Sequence, residues 1–273
     1  MVEVLVHFVA PALVGVLFGI ASGLLGIGGG TVMVPIFRLA FGMSATMSTA
    51  TSLFAIIPTS ISGAISHVKG KTCIPALGIA AGLGGACLSP VGVWLAQLSP
   101  DWLVMLVAAL IIGYSAINMF KKAFKLRPAG QPAAGVDAAA PTADDSSLSR
   151  KQLLQGAAIG LVAGLASGYV GVGGGFIMVP LMLSIIGIPM RKASGTSLIA
   201  VMILAIPGVI EQGIVGNINY LAGIAIVIGT IPGAVIGARL VTKVPERTLR
   251  LLFGCFLIVA AVMLVLNEVG IFG

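Results

Sequence analysis

Residues 19–35 read GIASGLLGIGGGTVMVP, and residues 164–180 read GLASGYVGVGGGFIMVP. Eleven of the 17 positions are identical, at an offset of 145. The same offset continues without a gap. Gly42 falls on Gly187, Thr51 to Leu53 on Thr196 to Leu198, Gly63 on Gly208, Gly78 on Gly223, Gly92 on Gly237, and Pro100 and Asp101 on Pro245 and Glu246. Such a chain folds as two copies of one unit, and whatever the glycines do, they do twice.

The solvent of those copies follows from composition. Residues are 58% hydrophobic and 8% charged, where a soluble domain carries about 25% charged residues. Apolar runs near the ~20 residues that span a bilayer recur. They cover 4–25, 46–66, 74–98 and 102–120 in the first half, and 153–170, 194–210, 221–241 and 249–266 in the second. The expected fold is therefore an all-α integral membrane protein. No Lys or Arg precedes the first run, so it reads as a retained helix rather than a signal peptide. Between the halves, residues 125–150 are rich in Ala, Pro, Gly, Asp and Ser and read as a flexible linker. This divides the chain into a first membrane repeat, 1–124, and a second, 151–273.

Charges orient the copies. The net charge of +7 resides in loops between apolar runs, which points to membrane topology and not to nucleic acid. Lys69 and Lys71, the basic residues flanking the linker, Arg191 with Lys192, and Lys243 with Arg247 place the 67–73, linker, 188–193 and 242–248 segments in the cytoplasm. The 99–101 and 211–219 loops, carrying only Asp101 and Glu211, go outside with both termini. Equivalent loops then lie on opposite faces, the pattern of an inverted-topology repeat. Each half has three long spans plus a Gly-rich broken helix or re-entrant pair, giving about 8–10 membrane segments.

Four glycines in five positions cannot sustain a helix, because each costs about 1 kcal/mol relative to Ala. The apolar stretches that follow are too short for an ordinary span, and Pro35 and Pro180 are expected near their first turns. The pattern is helix, unwound turn, half-helix. Bare N–H groups and a half-helix N-terminus attract an anion without a charged side chain. The candidate substrate-binding residues are Gly26, Gly28, Gly29, Gly30 and Thr31 in the first copy, and Gly171, Gly173, Gly174 and Gly175 in the second. Phe176 replaces the hydroxyl of Thr31 there. Thr51, Ser52, Thr196 and Ser197 offer neutral donors from the next helix, Ser22 and Ser167 lie upstream, and Arg38 is a candidate anion partner. His67, matched to Gln212, stands at the inner end of its run; a loop histidine is the expectation and a proton relay the alternative. The scattered Cys73, Cys87 and Cys255 suggest neither a disulfide nor a metal site. No H-E-x-x-H, G-x-S-x-G, P-loop or paired intramembrane carboxylate occurs, so neither enzymatic chemistry nor a cofactor is expected.

The doubled G-x-G-G-G with its short apolar stretch and Pro, the downstream Ala50 to Leu53 and Gly195 to Leu198, and the two-half layout resemble the sulfite exporter TauE/SafE family, also called the toluene-sulfonate uptake permease family. That resemblance implies a bacterial inner-membrane carrier of sulfite, sulfonates or sulfoacetate. The resulting expectation is a secondary transporter working by alternating access, with a small anion and the bilayer as partners and a proton or ion gradient as driving force. A passive anion channel and a non-transporting membrane subunit that anchors a partner are the alternatives.

Overall fold

The computed structural model describes residues 10–125 and 149–268. Most of the expected linker and both chain ends lie outside the described residues. In the first half α1 is Ala10–Leu25, α2 Gly30–Phe41, α3 Ala45–Lys69, α4 Pro75–Leu98 and α5 Asp101–Lys125. The second half follows with α6 Arg150–Val170, α7 Gly175–Leu181, α8 Met190–Val215, α9 Tyr220–Leu240 and α10 Glu246–Glu268. Helices α2 to α5 each begin 145 residues before α7 to α10, so element order and register repeat together. Among the described residues there is no strand, and seven helices are long and apolar enough to cross a membrane. The chain is a multi-pass, all-α membrane protein.

Several boundaries differ from the expected loops. Helix α3 runs to Lys69, α8 starts at Met190 and ends at Val215, so His67, Arg191, Lys192 and Glu211 are helical residues. Hydropathy cannot see a polar residue that continues a helix by main-chain hydrogen bonding alone. Pro35 and Pro180 each occupy the sixth helical position rather than the first turn. After Pro180 the helix loosens into a π turn, Met182–Ile186. The Pro180 carbonyl accepts from Lys122 Nζ at 2.9 Å and Ser184 Oγ at 2.6 Å, and Lys122 also meets the Ser184 hydroxyl.

The halves exchange partners. Helix α1 packs on α9, and its equivalent α6 packs on α4. Both pairs run parallel, since Gly156, Gly160 and Gly164 meet Leu77, Ala81 and Gly85 in turn, and Gly15, Gly19 and Gly23 meet Ile226, Thr230 and Ala234; small residues four apart keep the backbones in contact. A Cβ on Gly156 would lie 2.5 Å from Leu77 Cδ1, and one on Gly85 would lie 3.1 Å from the Gly160 carbonyl. A Cβ on Gly15 would lie 2.5 Å from the Ile226 carbonyl, and one on Gly233 would lie 2.9 Å from the Gly19 Cα. Without water to expel between helices, such close approach is a principal source of attraction in lipid. Equivalent helices α3 and α8 instead pack antiparallel: Gly63 faces Leu198, and Gly208 faces Leu53.

Polar side chains bind the copies at equivalent points. Asp101 Oδ2 accepts the Ala45 N–H at the start of α3 (3.4 Å), and Glu246 Oε1 accepts the Met190 N–H at the start of α8 (3.2 Å). A carboxylate at a helix N-terminus satisfies a free donor and complements the helix dipole. Thr51 Oγ1 accepts the Asn219 N–H at 3.0 Å, and Thr196 Oγ1 accepts the Ile74 N–H at 2.9 Å. Both threonines are fully buried. Thr196→Val keeps the shape but strands a buried N–H, so it should destabilise the fold by about 1–3 kcal/mol, read as a lower unfolding temperature in detergent.

Candidate functional site

Helix α1 stops at Leu25 because the next residues need backbone angles that side chains disfavour. Gly26, Gly28 and Gly29 have φ of 75°, 83° and 87°, and Gly171, Gly173 and Gly174 have 72°, 86° and 64°. Only glycine occupies this left-handed region without steric cost. Each turn opens alike: the Gly26 N–H donates to the Ser22 carbonyl at 2.8 Å, and the Gly171 N–H to the Ser167 carbonyl at 2.7 Å. Beyond that bond, the N–H groups of Gly28, Gly29, Gly173 and Gly174 make no hydrogen bond among the described residues. They stand at the starts of α2 and of α7 with its π turn, where the helix dipole is positive.

The two turns meet. A Cβ on Gly30 would lie 2.5 Å from the Val172 carbonyl, and one on Gly175 would lie 2.5 Å from the Gly26 carbonyl and 2.8 Å from that of Ile27. Between them sit Ile56 of α3 and Val201 of α8, equivalent and fully buried. A Cβ on Gly28 would come within 2.9 Å of Val201 Cγ1 and 3.4 Å of Ile56 Cγ2, while one on Gly173 would come within 2.8 Å of Ile56 Cδ1. Two unwound segments, each with free donors, are thus held together by an aliphatic pair.

Hydroxyls without partners surround this contact. Ser22, Ser60 and Ser167 are fully buried, and their Oγ atoms have no hydrogen-bond partner. Ser22 Cβ lies 3.7 Å from a Cβ built on Gly29, Ser167 Cβ lies 3.4 Å from one on Gly174, and Ser60 Oγ lies 3.4 Å from one on Gly28. A buried hydroxyl left unpaired costs about 1–3 kcal/mol, which makes this concentration a pointer to a missing acceptor. Ser197 is the exception, its Oγ lying 2.6 Å from the Gly26 carbonyl. Its equivalent Ser52 has no such bond, so the halves differ at the hydroxyl level.

Other expected residues lie elsewhere. The hydroxyls of Thr51 and Thr196 already hold the starts of α9 and α4. Arg38 is half-buried in the last turn of α2. It follows Gly30 by eight residues, about 12 Å along a helix, and is not brought to the turns. The Thr31 side chain lies outside the described residues; its equivalent Phe176 is fully buried in the core. Sequence reasoning missed the Ile56 and Val201 pair and Ser60, although the 145-residue offset already sets Ile56 on Val201. Among the described residues no cluster of His, Cys, Asp or Glu could hold a metal.

The profile of the family described as "Sulfite exporter TauE/SafE" matches residues 11–264. The chain belongs to this family. TauE/SafE membership agrees with similarity to curated proteins along nearly the full length. The chain is 27% identical to the "Probable membrane transporter protein YunE" of Bacillus subtilis, over 97% of this chain and 99% of that protein. It is 28% identical to YdhB of the same organism, over 87% and 92%. A probable membrane transporter protein of Haemophilus influenzae is 29% identical, over 93% and 97%. No solved structure matches the chain. The glycine turns therefore sit at the centre of a chain whose relatives are named as transporters.

Proposed function

We propose that the chain is a secondary transporter of the bacterial inner membrane, carrying a small sulfur-containing anion such as sulfite, a sulfonate or sulfoacetate by alternating access. One observation carries this reading: two glycine turns meet in the core, with unpaired N–H groups beside orphaned, fully buried serine hydroxyls. Sulfur oxyanions present several acceptor oxygens and no donors when ionised, which suits a cage of N–H and O–H groups. The absence of a fixed cation from the cage keeps binding weak enough for release. The family description supports the sulfur chemistry.

The antiparallel packing of α3 and α8 supports an inverted repeat, with a two-fold axis in the membrane plane. Basic loops and linker face the cytoplasm in this arrangement, and both termini face out. The two halves rock about the turns, and Ile56 and Val201 part to admit the anion.

Flux in proteoliposomes with sulfite, sulfoacetate and sulfate, with and without a pH gradient, tests the reading. Saturating flux of a sulfur anion is expected. Flux that rises linearly with concentration would instead identify a channel, and no flux or binding of any of these anions would refute the proposal. The double substitution Ser22→Ala with Ser167→Ala should weaken apparent affinity by about tenfold or more, since a hydrogen bond to a charged group contributes roughly 1.5–3 kcal/mol. The fold should not suffer, because hydroxyls without partners are being removed. Unchanged affinity would take the serines out of the site.

A further inference from the structure

His67 is fully buried. Its Nε2 lies 2.8 Å from the Gly23 carbonyl of α1, and its Nδ1 lies 2.7 Å from Thr72 Oγ1. A carbonyl only accepts, so Nε2 carries a proton, and Nδ1 of the neutral ring accepts from the Thr72 hydroxyl. Thr72 Oγ1 also lies 3.3 Å from the main-chain carbonyl of His67. If Nδ1 gains a proton, it donates to Thr72 Oγ1, and the threonine hydroxyl turns to that carbonyl. Both charge states of the ring are thus hydrogen-bonded without moving a heavy atom.

The other half holds the same bridge without the titratable group. Gln212 is equivalent to His67 and Asn217 to Thr72, and Asn217 Nδ2 donates to Gln212 Oε1 at 2.8 Å. An amide pair joins the helix end to the loop there, whereas the imidazole also holds the Gly23 carbonyl of α1 and can bind a proton.

Thr72 also faces a polar cavity of about 330 Å³, shared with Ser66, Lys69, Gly70, Arg239 and Thr242. Of the charged groups, Lys69 of α3 and Arg239 of α9 line this cavity with Thr72, while the first turn of α8 carries Arg191 and Lys192 beside Glu246, whose carboxylate accepts the Met190 N–H. Helix α8 touches the ring through Gly195, whose Cβ would lie 2.7 Å from Nδ1, and α1 contributes the Gly23 backbone. No carboxylate hydrogen-bonds to this group among the described residues.

Building on the proposed transport of a sulfur anion, we propose that His67 is the proton-binding site that couples it to a proton gradient. The proton enters from the cavity through the Thr72 hydroxyl and binds Nδ1. An anion that passes between Lys69 and Arg239 on its way to the glycine turns offsets the positive charge beside the ring, so anion and proton favour one another, reciprocally. Gly23 lies three residues before Gly26, on the helix that leads into the first glycine turn. A shift of α1 withdraws the Gly23 carbonyl from Nε2, removes one acceptor from the imidazolium, and favours return of the proton to water.

The test uses the purified full chain and sulfoacetate, whose own ionisation is constant near neutral pH. In the wild type, binding should tighten as pH falls into the acidic range and should take up protons from a weakly buffered solution. His67→Gln copies the equivalent residue of the other half. It should give a flat pH profile, no proton uptake and no accumulation driven by a pH gradient. Thr72→Val should move the pH dependence to lower pH, which keeps the test decisive should His67→Gln fail to fold. A pH slope or proton-driven accumulation that survives His67→Gln overturns this inference and leaves the proposed function standing. Failure of the wild type to bind any sulfur anion overturns both.

Discussion

Vesicles reconstituted with Gly29→Val should take up sulfite or sulfoacetate no faster than empty vesicles, whereas those with Gly42→Ala should transport normally. Gly29 precedes α2 with φ 87° and ψ −17°, and Gly42 follows it with φ 61° and ψ 26°. An L-residue in the left-handed region costs about 1–2 kcal/mol, and a β-branched one is a genuine outlier there. Both substitutions therefore strain the same short helix. They differ in their surroundings. A Cβ on Gly29 would lie 2.9 Å from Met33 Cε, next to Ser22 and the free N–H groups, while one on Gly42 meets nothing within 4 Å. Normal flux through Gly29→Val would reduce the turns to packing devices.

Gly160→Leu should have the largest effect on folding. A Cβ at this position would overlap the Ala81 carbonyl, so the substitution forces α6 off α4 along their shared face. Overpacking costs about 1–3 kcal/mol in cores that can adjust. A backbone-to-backbone contact cannot adjust by turning a side chain, so the loss should reach or exceed the upper figure. Gly113→Leu is the matched control, because a Cβ there meets nothing within 4 Å. Size-exclusion profiles and unfolding temperatures in detergent should show Gly160→Leu aggregated or much destabilised and Gly113→Leu close to wild type.

What the sequence made legible was whatever repeats or partitions. The spans followed from apolar length, and the half-helix starts at Gly30 and Gly175 from glycine's poor helix propensity, since both effects are local. Thr51 and Thr196 show where that reasoning runs out. Their hydroxyls accept N–H groups of Asn219 and Ile74, far along the chain, and no local pattern separates such a tether from a ligand donor. Arg38 stood out because a lone cation in an apolar helix suggests an anion partner; sequence alone did not show that it occupies the last turn of α2, about 12 Å along the helix from Gly30. His67 was read as a loop residue because hydropathy ends before the helix does. Ser22 and Ser167 were visible as repeated hydroxyls, but only the packing reveals that they lack partners.

The exchange of helices between halves has a consequence for synthesis. Helix α1 leaves the ribosome early, yet Gly15, Gly19 and Gly23 pack against the backbone of α9, which begins at Tyr220. Until α9 is made, the glycine seam of α1 lacks the backbone it packs against. The packing of the first half is therefore complete only once α9 of the second half has been made.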